Sequence, residues 1–288
     1  FPAFINRLKP FLQTVKSNVV ITENDVMGNY ITQIIPSAVD LYYQEVWGWP
    51  TTGTVCGGSY QSIRDIIVQA KTLGPNKAVV LPAYMNKCDT FSNQMNEPSV
   101  RIMDAVVFAN GAFHLELGED GQMLHNEYFP DHTSAVSATL NRAMRDNYDF
   151  IVKYENLLFY NDAGVPTDAT TAAVISSTSH TLTKNGTAGA VWTIVKQWPN
   201  SFDTVNLVNL YGVDNQWRNK SNPPTVLTNI QLKYYLDQKV TGVYWATPDD
   251  GLGRRTALTY TNGSDGGGYF VKVGIPSLRY WDIVIFDK

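Results

Sequence analysis

Cysteine is nearly missing: the 288-residue chain holds two, Cys56 and Cys88. Two thiols make neither a disulfide framework nor a four-ligand zinc centre. Basic charge is not in excess, since 22 Lys and Arg face 26 Asp and Glu for a net charge of −4. Nucleic acids are held by concentrated Lys and Arg, so this balance argues against such a partner. Long apolar runs are lacking too; none reaches the ~18–20 residues of a membrane-spanning helix. The first residues, Phe1-Pro2-Ala3-Phe4, show no basic start, apolar stretch or cleavage site, and so are no signal peptide. They read as the entry to a helix already in progress, as in a mature product or a chain cut from something longer.

Aromatic residues are plentiful. Seven Trp, 16 Tyr and 12 Phe stand among much Asn, Thr and Gly. That mixture suits carbohydrate, whose ring faces stack on aromatics while its hydroxyls bond to amides and carboxylates.

Two textures divide the chain. Over the first 160 residues, helical periodicity alternates with short apolar runs. Phe4, Ile5, Leu8, Phe11 and Leu12 fall at helical spacing, and Val19-Val20-Ile21 leads into Thr22-Glu23-Asn24-Asp25. A strand is predicted over Val39–Trp47, then a helix capped by Ser59 with Ile63, Ile66, Ile67 and Ala70 on one face. A strand from Ala78 to Tyr84, a helix from Pro98 to Phe108, a strand from Ala112 to Leu117 and a long helix from Ser134 to Leu158 complete the pattern. Short strands alternating with amphipathic helices imply a parallel sheet with right-handed crossovers. After the linker-like Asn161–Pro166, short β-branched and aromatic runs separated by turn residues predict an antiparallel β-sandwich.

In parallel α/β architectures, catalytic groups gather at the carboxyl ends of the strands, and residues of one parity share a face. Leu41, Tyr43, Glu45 and Trp47 form one such set, Pro82, Tyr84 and Asn86 a second, and Ala112, His114 and Glu116 a third. A carboxylate framed by Tyr43, Trp47 and Trp49 is partly desolvated, which suits Glu45 to general-acid work. His125, Glu127 and His132 lack the helical i, i+4 spacing of a zinc pair, so neither metal nor cofactor is expected. Cys56 and Cys88 follow consecutive strands; a disulfide and two free thiols both fit.

Asp40-Leu41-Tyr42-Tyr43-Gln44-Glu45-Val46-Trp47 resembles the sixth-strand signature of glycoside hydrolase family 66. Ala83-Tyr84-Met85-Asn86 is similar to its seventh strand, and Phe113-His114-Leu115-Glu116-Leu117-Gly118 to its eighth. Asn126-Glu127-Tyr128-Phe129-Pro130, Asn206–Leu210 and Pro224–Ile230 follow the family's pattern in the same order, so the resemblance covers nearly the whole chain.

The resemblance implies a fold of two parts: the second half (strands five to eight) of a (β/α)8 barrel over residues 1–165, then an antiparallel β-sandwich domain over 166–288. It implies retaining endo-hydrolysis of α-1,6-glucosidic bonds, with dextran and isomaltooligosaccharides as partners. Glu45 matches the acid/base, with Tyr43, Trp47, Trp49, Tyr84, Asn86, His114 and Glu116 as substrate contacts. The family's aspartate nucleophile, at the end of the fourth strand, has no counterpart here; Asp25 is expected after the fifth strand and is not its equivalent. A companion amino-terminal half-barrel segment or chain is therefore expected, and the isolated chain is expected to be incomplete. The short connection from Asn86 to Pro98 departs from the transferases that make cyclic glucans and favours a dextranase. Cycloisomaltooligosaccharide glucanotransferase and a non-catalytic glucan-binding surface protein are the alternatives. A polymer too large to import implies secretion or the bacterial cell surface.

Overall fold

The computed structural model describes residues 1–26, 28–46, 58–85, 94–115, 117, 121–123, 134–159, 164–198 and 201–288. Trp47, Trp49, Asn86, Glu116, Cys56, Cys88, His125, Glu127 and His132 lie outside these residues.

The first part follows helix α1 (Pro2–Gln13) with strands β1 (Asn24–Val26), β2 (Leu41–Glu45), β3 (Ala78–Leu81) and β4 (Phe113–His114). The four lie side by side in chain order, each parallel to the next. Between them run α2 (Ile31–Ile34), α3 (Tyr60–Leu73) and α4 (Glu97–Ala109), and after them α5 (Ala138–Lys153) and α6 (Glu155–Leu158). Helices α3, α4 and α5 begin where a side chain satisfies an otherwise unpaired amide: Ser59, Asn96 and Ser137 accept from the N–H of Ser62, Ser99 and Leu140. Ile63, Ile67 and Ala70 of α3 are buried at helical spacing, whereas α4 is buried continuously from Ser99 to Ala109.

The two faces of the parallel sheet differ sharply. Asp25, Tyr42, Gln44, Val79, Leu81 and His114 face the helices and are buried. On the other face, Leu41, Tyr43, Ala78, Val80 and Phe113 are only half-buried and Asn24 is exposed; Glu45 is buried there, as is Tyr84 just beyond β3.

The second part comprises β5 (Thr167–Asp168), β6 (Ile175–Ser177), β7 (Leu182–Thr183), β8 (Val191–Trp198), β9 (Phe202–Asn209), β10 (Leu227–Leu236), β11 (Gly242–Ala246), β12 (Thr256–Ala257), β13 (Tyr260–Asp265), β14 (Gly268–Leu278) and β15 (Trp281–Asp287). One sheet runs β12-β11-β15-β9-β8-β5 with β7 also on β8, and the other runs β13-β14-β10-β6. Val195, Val205, Leu207 and Phe286 of the first share a hydrophobic cluster with Ile230, Leu232, Val271 and Val273 of the second. The opposite face of the first sheet packs on the helices: Trp281 meets Phe108 of α4 and Phe150 of α5, at ring-centroid distances of 6.2 and 4.9 Å. Arg101 of α4 is paired with the half-buried Asp249 at 2.6 Å.

Several sequence expectations shift. The Val19–Ile21 run is not itself a strand: Asp40 accepts from the N–H of Ile21 and donates its own N–H to the Ile21 carbonyl, and pairing starts at Asn24. Asp25 consequently lies within β1, not after it. The long helix breaks at Tyr154, whose hydroxyl donates to the Gly253 carbonyl. Asn262-Gly263-Ser264, whose residue types suit a turn, lies within β13, and the Phe270 ring packs so close over Gly263 that a Cβ there would stand 2.3 Å from it. Ala112, grouped by parity with the candidate site residues, is buried with the helices; the register sets Phe113 beside Val80 instead.

Asp282 of β15 is fully buried, and burial pushes its carboxyl well above the usual range, although the Trp245 indole N–H, at 2.8 Å, opposes this. The folded chain holds the proton that the unfolded chain releases above about pH 4, so this group's stability contribution declines as pH rises from there toward the folded pKa. Asp282→Asn keeps the acceptor for Trp245 and removes that loss. The variant's thermal midpoint, relative to the parent, is expected to be higher at about pH 8 than at about pH 5; the reverse order would contradict the assignment.

Candidate active site

Glu45 is the last residue of β2, at the carboxyl end of the parallel sheet and 6% exposed. The parallel register sets Asn24 opposite Tyr43 and Val26 opposite Glu45, so Asn24 shares the face of Tyr43 and Glu45. From there the Asn24 amide donates to Glu45 Oε2 at 3.1 Å. Just beyond β3, Tyr84 returns to the same face and its hydroxyl donates to Glu45 Oε1 at 2.5 Å. Both carboxylate oxygens are thus oriented by donors from the strands on either side. Burial, then the hydrogen bond to Glu45 and its charge, raise the Tyr84 phenol, so Tyr84 remains a donor. Tyr43 is raised for related reasons, burial first and the Glu45 charge second.

The structure therefore brings together Tyr43, Glu45 and Tyr84 and adds Asn24, which the sequence reading missed. The available signal was a polar side chain where the apolar run ends, but its use required the register between β1 and β2.

His114, expected on the site face, stands on the opposite one. The β3–β4 register pairs it with Leu81 and places Phe113 in the row of Tyr43 and Val80. His114 is buried there, with Nδ1 2.9 Å from Asp104 Oδ1, and Asp104 also accepts from Asn147. It ties the sheet to α4 and α5. Asp25 faces the same side, accepting from the Tyr42 hydroxyl at 2.6 Å and from the Tyr30 N–H.

Chemically, the cluster can donate and accept one proton at a fixed position. The residues of β1–β4 sharing Glu45's face (Asn24, Val26, Leu41, Tyr43, Ala78, Val80 and Phe113) include no second carboxylate. Among the described residues, no group of three or more His, Cys, Asp or Glu is placed to hold a metal ion.

Tyr84→Phe is expected to keep the ring and remove only the donor. Hydrogen bonds to charged groups contribute about 1.5–3 kcal/mol, so kcat should fall roughly tenfold to a hundredfold with KM little changed. Steady-state kinetics would check this; an unchanged kcat would show that the contact does not serve the reaction.

Residues 1–285 match the model for glycosyl hydrolase family 66. Over 195 residues, 67% of this chain and 20% of the relative, the sequence is 41% identical to a cycloisomaltooligosaccharide glucanotransferase of Niallia circulans. It is 23% identical to a dextranase of Streptococcus salivarius in an alignment covering 100% of this chain and 40% of the relative. A crystal structure of a Paenibacillus sp. cycloisomaltooligosaccharide glucanotransferase, complexed with cycloisomaltoheptaose, superposes with a TM-score of 0.86 at 25% identity, covering 99% of this chain and 58% of that one. The chain thus spans a fifth to two-fifths of the length of these curated relatives. With a family match running almost from end to end, the chain belongs to glycosyl hydrolase family 66.

Proposed function

We propose that this chain carries the acid/base of a retaining endo-glycosidase that cleaves α-1,6-glucosidic bonds in dextran. The carrying observation is Glu45 at the carboxyl end of β2, both oxygens held by Asn24 and Tyr84. In the first step, protonated Glu45 gives its proton to the leaving glycosidic oxygen while an aspartate attacks the anomeric carbon. In the second, the Glu45 carboxylate takes a proton from the attacking water, and the α configuration is retained. Tyr43, Tyr84, Trp47, Trp49, Asn86 and Glu116 contact the sugar.

The nucleophile comes from a segment outside residues 1–288, which completes a (β/α)8 barrel. Residues 1–165 are its second half and 166–288 a β-sandwich domain. Parallel sheets are normally covered on both faces, and here one face is half-exposed. Phe4 and Phe11 of α1 are exposed as well, at 60 and 66%. These apolar surfaces are what the other half of a barrel would cover. A substrate of polymer size places the enzyme outside the cell.

The 41% identity to a cycloisomaltooligosaccharide glucanotransferase supports a second reading, in which a sugar hydroxyl replaces water in the second step. The same Glu45 would serve. Digestion of dextran by the complete protein, followed by mass spectrometry, separates the two: linear isomaltooligosaccharides are each heavier by one water than cyclic products of equal size. Linear products are expected. Mainly cyclic products would establish the transferase, and no cleavage of α-1,6-glucan would overturn both.

A further inference from the structure

The amino ends of the parallel strands, remote from Glu45, border a cavity of about 470 Å³, and a second of about 300 Å³ adjoins it. Lys71 of α3, Pro75 and Phe159 line both. The smaller cavity has apolar walls from Val68, Leu158, Val165 and Pro166, and Lys196 of β8 also lines it. Lys196 is 5% exposed, and its ammonium donates to the carbonyl of Leu158 at the end of α6. Space for that approach depends on Gly111: a Cβ there would stand 2.8 Å from Lys196 Nζ and 2.7 Å from the Leu158 oxygen.

The charges around this cavity do not balance. Lys71 of α3 and Lys196 of β8 line it, with the Arg64 charge close enough to act on Lys196, whereas Asp168 of β5 is the one carboxylate lining it among the described residues. Asp168 is already engaged, accepting from Arg64 at 2.7 Å and from the N–H of Thr170. In the larger cavity, Asp40 is paired with Lys9, and Lys77 donates to the carbonyls of Ile35 and Ser37; Glu155 of α6 lines the same space. Burying ammonium groups without a carboxylate is unfavourable, and a bound anion would offset that cost.

We propose that the smaller cavity binds an organic anion, a carboxylate with an apolar body, its head group between Lys71 and Lys196 and its body against Leu158, Phe159 and Pro166. The apolar walls select against a bare oxyanion such as phosphate, which would lose hydration without replacement. Burial lowers Lys71 to about 8 and Lys196 well below its usual range, the latter also through the charges of Lys71 and Arg64. Anion binding therefore recruits protons, and affinity declines as pH rises through about 8.

Calorimetric titration of the complete protein with benzoate, benzamide and inorganic phosphate, in buffers of differing ionisation enthalpy, tests this. Benzoate is expected to bind with proton uptake. Neutral benzamide and phosphate should bind more weakly, by at least about tenfold. Lys71→Met and Lys196→Met should each weaken benzoate by about tenfold or more while dextran cleavage persists. If Lys196→Met fails to fold, the half-buried Lys71 position decides alone. Absence of benzoate binding, tighter binding of phosphate or benzamide, or undiminished affinity in Lys71→Met would overturn the proposal.

Discussion

Glu45→Gln is expected to lower dextran turnover by the complete enzyme about 10²–10⁴-fold, the usual contribution of a positioned acid/base. Glutamine preserves the size of the side chain and still accepts a hydrogen bond through its carbonyl oxygen, so folding is largely spared. What it cannot do is protonate the leaving oxygen or deprotonate water. A glucosyl substrate with a good leaving group needs no acid, so its first step should survive and the glycosyl-enzyme should accumulate. Azide, which needs no base, should then release it and restore turnover, giving an α-glucosyl azide because two displacements retain configuration. Near-parental hydrolysis of dextran by the variant would remove Glu45 from the mechanism.

Residues 1–288 expressed alone are expected to hydrolyse dextran at least about 10³-fold more slowly than the complete protein, since one carboxylate cannot perform a double displacement. The same chain should self-associate. Leu41, Tyr43, Val80 and Phe113 are only half-buried and Phe4 and Phe11 are exposed, and contiguous apolar surface of this kind is rarely left open on soluble monomers. Activity assays and sedimentation velocity would check both. A monomer that cleaves dextran at the full rate would show that no further segment is needed.

What was legible in the sequence depended on whether a local pattern carried it. Helix α3 announced itself through Ser59 and the Ile63, Ile67, Ala70 stripe because capping and one-sided burial are local. Parity along one strand brought Tyr43 and Glu45 to one face for the same reason. Parity between strands is a matter of register, which depends on pairing between distant residues; this is why parity alone groups His114 with the site when Phe113 occupies that row, and why it does not point to Asn24. Strand β8 was recognisable as an apolar run but shows no alternation, since one face meets the second sheet and the other meets the helices. Gly263 reads as a turn residue, and only the Phe270 ring across the hairpin explains it as strand. The half-buried Lys71 and the buried Lys196 come from elements far apart in the chain, and no sequence motif joins them.

The most direct measurement concerns the residue that becomes bonded to sugar. A fluorinated glucosyl fluoride, which slows both displacements but forms the covalent intermediate readily, should trap the glycosyl-enzyme of the complete protein, and the Glu45→Gln background should lengthen its lifetime. Proteolysis and mass spectrometry then locate the ester. The expected result is a single modified aspartate outside residues 1–288, with Glu45 unmodified in the parent protein. An ester on Asp25, Glu23 or Glu45 itself would contradict the division of the two carboxylates between this chain and a further segment.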